Sequence, residues 1–238
     1  MTGLRASSLR TEFEPRPALR RAPQQCDRNG GVNILSRPLA ALVLLLSAPL
    51  LLGAQSATSP ASTQTSTVII QTAAGDIYIA LDHARAPKTS QNFLAYVDSG
   101  LFSRMTFYRA SASRSDGSEG MIQGGMGNNL RGTMPPVPHE PTYTTGLSHV
   151  DGAVSMAYTS NPGSARTEFF IVVGSPIPSY DGVPGGKPGY AVFGKVTKGM
   201  DVVRRILKMP KTKDARNAML EGSILVEPVA ITRARRAP

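Results

Sequence analysis

From Thr67 to the C-terminus the chain is a succession of short β-branched or aromatic runs broken by glycine, proline and small polar residues. That punctuation leaves room for strands and tight turns but not for a bundle of long helices. The 23 glycines and 19 prolines among 238 residues point the same way, to a turn-rich, mainly β architecture. The runs cover residues 67–71, 76–81, 105–109, 121–123, 153–157, 169–173, 190–196 and 224–231. The first two flank Ala73, Ala74, Gly75 and Asp76 and predict a hairpin that opens the domain. Pro228 inside the last run predicts an edge or bulge position. Two stretches follow a helical period instead. One starts at Pro87, places Phe93, Leu94 and Val97 on one face and stops at Gly100; the other spans 200–207 with Val202, Val203 and Ile206 inward. The expectation is one sizeable β-barrel or sandwich capped by two helices.

The first third has a different character. Residues 39–52 are almost wholly apolar, Arg37 stands just before them, and Gly53, Ala54, Ser56 and Ala57 follow. A basic flank, a short apolar core and a small-residue exit make an export signal. The run falls short of the roughly 18 apolar residues expected of a membrane span. A buried core helix and a retained anchor are the alternatives. We assign 1–36 to a disordered or untranslated extension, 37–57 to the signal peptide, 58–66 to a flexible spacer, 67–233 to the folded domain and 234–238 to a basic tail. The expected location is the periplasm, with no stable membrane span once the signal is cleaved.

Residues 1–56 hold seven arginines and three acids, so without them the net charge falls from +10 to +6. In an exported domain of that modest charge, nucleic acid is not an expected partner. The only cysteine, Cys26, precedes the apolar run, so the exported part has neither disulfides nor thiol chemistry.

Other constellations lead nowhere catalytic. His139-Glu140 lacks the second histidine of a zincin helix, because Tyr143 stands in its place. No metal and no cofactor are expected. Ser148-His149 are sequence neighbours with no nucleophile elbow around them. Gly124, Gly125 and Gly127 lack the Gly-Lys-Ser/Thr of a phosphate loop. Lys208, Lys211, Lys213 and Arg216 read as a solvated loop, or as a contact for anionic envelope components.

Five segments in order carry a family resemblance: Phe107-Tyr108-Arg109; Met121-Ile122-Gln123-Gly124-Gly125; Gly152-Ala153-Val154-Ser155-Met156-Ala157; Glu168-Phe169-Phe170-Ile171; and Gly189-Tyr190-Ala191-Val192-Phe193-Gly194. In this order they resemble the cyclophilin-type peptidyl-prolyl isomerases. The resemblance implies a closed eight-stranded antiparallel β-barrel with a helix over each end and an active site on its outer face. It also implies the roles of single residues. Arg109 matches the catalytic arginine, and Gln123 the glutamine that binds substrate backbone and orients that arginine. Met121 and Phe170 match the proline pocket, Ala157 a small residue beside the substrate backbone, and Tyr190 a position held by His or Tyr. Taken singly, such an arginine is ordinarily a solvated charge and such a Met or Phe ordinarily core; their joint spacing sets them apart. Partners would be proline-containing unfolded or exported polypeptides, and the enzyme a monomer.

Five departures qualify the match. Eleven residues separate Arg109 from Met121, more than the family usually has, and the polar stretch 110–119 predicts a mobile loop beside the site. Gly120 stands where a pocket phenylalanine is usual, so one wall is missing or comes from elsewhere. Tyr158 replaces a common Asn, and Glu168 a common Gln, the latter expected to add negative charge to the groove and favour basic residues near the proline. The chain has no Trp, and Tyr180 covers the place of the tryptophan that binds cyclosporin in eukaryotic members. These departures keep a second reading open: a proline-binding module or chaperone with little catalytic activity.

Overall fold

The computed structural model describes residues 66–127, 129–159, 161–213 and 220–238. The extension 1–36, the signal peptide 37–57 and all but Ser66 of the expected spacer lie outside the described residues. Among the described residues, no helix is long and apolar enough to cross a membrane.

The opening hairpin forms as expected, β1 (Ser66–Thr72) running antiparallel to β2 (Gly75–Leu81). After it come α1 (Pro87–Asp98), β3 (Thr106–Ala112), β4 (Gly120–Gly125), a one-turn α2 (Thr142–Thr145), β5 (Ala153–Met156) and β6 (Phe169–Val173). The chain ends through β7 (Ala191–Lys198), α3 (Met200–Lys208), the two-residue β8 (Lys211–Thr212) and β9 (Ile224–Arg236). The strands follow one another around the sheet as β1-β2-β7-β5-β6-β4-β3-β9, and β9 pairs back onto β1. Every pairing is antiparallel, so eight strands close into a barrel, with β8 attached to β9 outside the ring. Closure removes the exposed edges an open sheet would leave.

Strand β9 closes the ring by using its two halves on different neighbours. Its first half pairs with β3, from Arg109↔Ile224 to Thr106↔Ala230, and its second half pairs with β1 through Arg236↔Val68. Residues 234–236 are therefore strand, which corrects the expected basic tail. The arginines are tolerated because Ile231 and Ala234 face inward while Arg236 points out and clasps Asp98 at 2.6 and 2.9 Å. Pro228 lies in the irregular stretch between the pairs Arg109↔Ile224 and Phe107↔Val229, where no ladder N–H is required.

Alternation sorts the side chains of the central strands. Phe169, Ile171 and Val173 enter the main core while Phe170 and Val172 face out. Val154 and Phe193 likewise point in, Ala153 and Val192 out. The interior is aromatic: Phe93 of α1 meets Phe102, Phe169 and Phe193 at centroid distances of 4.9, 5.4 and 5.0 Å. Val202, Val203, Ile206 and Leu207 of α3 join the same core.

Two of the sequence constellations prove to be helix caps. The Glu140 carboxylate accepts the Lys88 and Thr89 N–H groups at the start of α1, at 3.1 and 2.8 Å. The Lys211 ammonium donates to the Leu207 and Met209 carbonyls at the end of α3. Of the stretch 110–119, expected to be a loop, residues 110–112 belong to β3 and 113–119 form the connection to β4. Strands β3 and β4 continue to the pair Ala112↔Gly120, and the turn beyond is closed by Ser113 N–H donating to the Glu119 carbonyl at 2.9 Å.

Candidate active site on the barrel face

Strand register alone draws the site together. Arg109 on β3 lies opposite Gln123 on β4, Gln123 opposite Phe170 on β6, Phe170 opposite Ser155 on β5, and Ser155 opposite Val192 on β7. Cross-strand partners share a face of the sheet, so these five form a row across the outside of the barrel.

One irregularity decides which side chains reach that row. Phe107 and Ala110 both point into the core, although strict alternation would send them to opposite faces. A β-bulge between Phe107 and Arg109 absorbs the extra residue. Tyr108 and Arg109 consequently stand side by side on the outer face. Both reach Gln123: Arg109 Nη1 donates to Gln123 Oε1 at 3.1 Å, and Gln123 Nε2 donates to the Tyr108 hydroxyl at 2.7 Å. The Tyr108 hydroxyl in turn donates to Glu168 Oε2 at 2.5 Å. A second anchor for the guanidinium is Ser223 at the foot of β9, whose Oγ accepts from Arg109 Nε at 3.2 Å. Among the described residues no acceptor engages Nη2.

Glu168 does not place a free charge in the groove. Its Oε1 is held by the Gly127 N–H at 2.9 Å and the Thr167 hydroxyl at 3.1 Å, and its Oε2 by Tyr108. Burial pushes its pKa up, and these hydrogen bonds only partly offset the effect. Burial and the adjacent Glu168 carboxylate push the Tyr108 phenol upward as well.

The apolar floor beside Arg109 is a small outer cluster of Met121, Ala153, Phe170, Val172 and Val192, with Ala157, Tyr180 and Tyr190 packed against it. Tyr180 and Tyr190 stand edge-on to the Phe170 ring at 5.6 and 5.3 Å. The Tyr190 N–H donates to the Tyr180 carbonyl at 2.9 Å, which fixes the two rings as a pair. They form an aromatic wall on Phe170. Gly120 cannot form one: at φ +142° a Cβ there would lie 2.1 Å from the Ser111 carbonyl oxygen. Tyr158 joins the rim, its ring 5.0 Å from Tyr190. The Ala157 N–H donates to the Glu168 carbonyl at 2.8 Å. The site residues expected from the sequence therefore all gather on one face.

A family model described as cyclophilin type peptidyl-prolyl cis-trans isomerase/CLD matches residues 67–234. This chain belongs to that family. The cyclophilin is 39% identical over 175 residues to peptidyl-prolyl cis-trans isomerase cyp18 of Streptomyces antibioticus, an alignment covering 71% of this chain and 98% of that protein. It is 38% identical over 175 residues to peptidyl-prolyl cis-trans isomerase A of Dickeya dadantii, covering 71% and 83%. A Cryptosporidium parvum cyclophilin-type isomerase, crystallised in the presence of the dipeptide Ala-Pro, shares the fold. Its TM-score is 0.58 at 23% identity, over 72% of this chain and 99% of that one.

Beneath this apolar cluster the cyclophilin holds a group that the sequence did not reveal. His149 Nδ1 donates to Asp181 Oδ1 at 2.6 Å, and its Nε2 meets the Ser155 hydroxyl at 2.9 Å. The residue types are those of a hydrolytic triad, but Ser155 is 0% and His149 1% exposed, so no substrate carbonyl can reach the hydroxyl. The imidazole serves as backing for Phe170. Tyr108, Ser223, His149 and Asp181 were all missed by sequence reasoning. Only the identity of Tyr108 as Arg109's neighbour hinted at a role, and alternation argued against it.

Proposed function

We propose that this cyclophilin accelerates cis–trans exchange of X-Pro bonds in exported polypeptides, with Arg109 stabilising the twisted amide while the proline ring rests on Met121 and Phe170. The barrier to be lowered, about 18–20 kcal/mol, is amide resonance itself. The two isomers are close in energy yet exchange over tens to hundreds of seconds. Twisting the bond breaks conjugation and leaves a lone pair on the proline nitrogen, so the reaction needs a hydrogen-bond donor there and no nucleophile. A guanidinium offers a rigid planar fork of donors. Support for this role comes from its anchoring: Nε and Nη1 are tied to Ser223 and Gln123, Nη2 has no acceptor among the described residues, and Gln123 is in turn the cross-strand partner of Phe170. A donor held in place before the reaction is worth more than one that must reorganise.

The test is the catalysed exchange rate of a short X-Pro peptide. Arg109→Ala should lower kcat/KM by about 10²-fold or more. Arg109→Lys should fall nearly as far, since one ammonium cannot span Ser223 and Gln123 together. Wild-type activity equal to that of Arg109→Ala would remove the catalytic role and leave client binding. The proposed compartment, the periplasm, rests on the basic flank and apolar run of residues 37–52. N-terminal sequencing of protein from a periplasmic fraction checks it; a mature chain still beginning at residue 1 would refute export by a cleaved signal.

A further inference from the structure

The hydrogen-bond chain behind Arg109 has only one workable polarity. Guanidinium nitrogens only donate, so Gln123 must turn Oε1 toward Arg109. Its amide nitrogen then points at the Tyr108 oxygen, and the single phenol proton must find an acceptor elsewhere. That acceptor is Glu168 Oε2. An ionised carboxylate only accepts and so holds every link in this sense. A carboxylic acid at Oε2 would offer its own proton to Tyr108. The phenol proton would then turn back toward Gln123, and the amide would flip to set its NH2 against the guanidinium.

The carboxylate has a prepared place. A Cβ on residue 125 would lie 2.3 Å from Glu168 Oε1, so only glycine at that position admits it. The Gly127 N–H and Thr167 hydroxyl hold the same oxygen.

We propose that Glu168 is a positioning residue, its ionised carboxylate acting through Tyr108 and Gln123 to fix the amide that orients the Arg109 guanidinium. This rests on the catalytic role of Arg109. The titratable group that meets Glu168 directly is Tyr108 of β3, and Arg109 of the same strand stands further along the hydrogen-bond chain, beyond Gln123. Strand β4 faces it with Gln123 and Gly125, β5 leads into the Ala157 main chain, and the loop after β4 contributes the Gly127 amide. Because burial raises the Glu168 pKa, the chain reverses on acidification at a pH above the ordinary carboxylate value of 4.5.

NMR exchange spectroscopy on an X-Pro peptide, which needs no coupling protease, tests this between pH 8 and 4.5. Wild type, Glu168→Gln, Tyr108→Phe and Arg109→Ala are compared at saturating and sub-saturating peptide, with Tm recorded for each. Wild-type kcat should fall on the acid side while KM holds. Glu168→Gln should be roughly fivefold slower at pH 7, the worth of one ordinary hydrogen bond, and should lack the acid limb. Tyr108→Phe, which keeps the carboxylate but cuts the chain, should lose the limb too. An unchanged acid limb in either variant overturns the inference. Wild type no faster than Arg109→Ala would instead sink the reading of Arg109.

Discussion

The imidazole of His149 lies flat against the ring of Phe170, with centroids 5.6 Å apart and planes 10° from parallel. The outer apolar cluster is thus two rings thick at Phe170, and the lower ring is polar. Burial pushes the His149 pKa down, and the Asp181 carboxylate recovers only part of that shift. A neutral ring suits the geometry: Nδ1–H donates to Asp181, and Nε2 is left to accept the Ser155 hydroxyl.

A pH dependence of stability follows. The folded-state pKa of His149 is lowered, so below about 6.5 the unfolded chain binds the proton more readily. The stabilisation is complete above that value and is lost as pH falls through the depressed folded value. Thermal unfolding of the wild type should show Tm falling in that window. His149→Asn, though less stable at pH 7, should give a flatter profile; parallel profiles would mean that the imidazole does not stay neutral.

Glu168 works with the opposite sign. Its folded pKa is raised, so its contribution is fully present below the ordinary 4.5 and is lost as pH rises through the folded value. Glu168→Gln should therefore have a Tm at pH 7 equal to or above that of the wild type, while its exchange activity falls. Lower stability together with lower activity would show that the carboxylate is held mainly for folding.

Gly120 is a backbone requirement. The position demands φ +142°, and any Cβ meets the Ser111 carbonyl. Gly120→Ala should cost about 1–3 kcal/mol from conformation alone, more with the clash, by denaturant unfolding. Gly120→Phe should not rebuild a pocket wall and should lower peptide binding together with stability. A phenylalanine variant that is stable and binds peptide more tightly would contradict this account.

Tyr180 occupies the region where cyclosporin-binding relatives carry tryptophan, and its ring is already engaged edge-on with Phe170 and Tyr190. Cyclosporin should bind weakly by titration calorimetry. A nanomolar dissociation constant would show that another part of this face supplies the missing contact.

Much of the architecture is legible along the chain because it depends on short-range rules. Alternation, β-branched runs and the prolines and glycines between them mark the eight barrel strands and both long helices to within a few residues. The order of the motifs around Arg109, Met121, Gln123 and Phe170 marks the family. Illegible were features set by register and by distant partners. Arginines near the C-terminus read as a basic tail, yet β1 needed a partner for its free edge and residues 231–236 supply it. Glu168 read as a loose charge, whereas Gly125, Gly127 and Tyr108 hold it in place. Tyr108 should face away from Arg109 by alternation, and a single bulge reverses that.

By itself, then, the sequence determined the elements, the family and the place of Arg109 within the family's motif order, because propensity and motif spacing are local. The tertiary structure decided what holds that guanidinium. Ser223 is 114 residues away and Gln123 reaches Arg109 only across a strand pair, so both contacts depend on how the barrel closes.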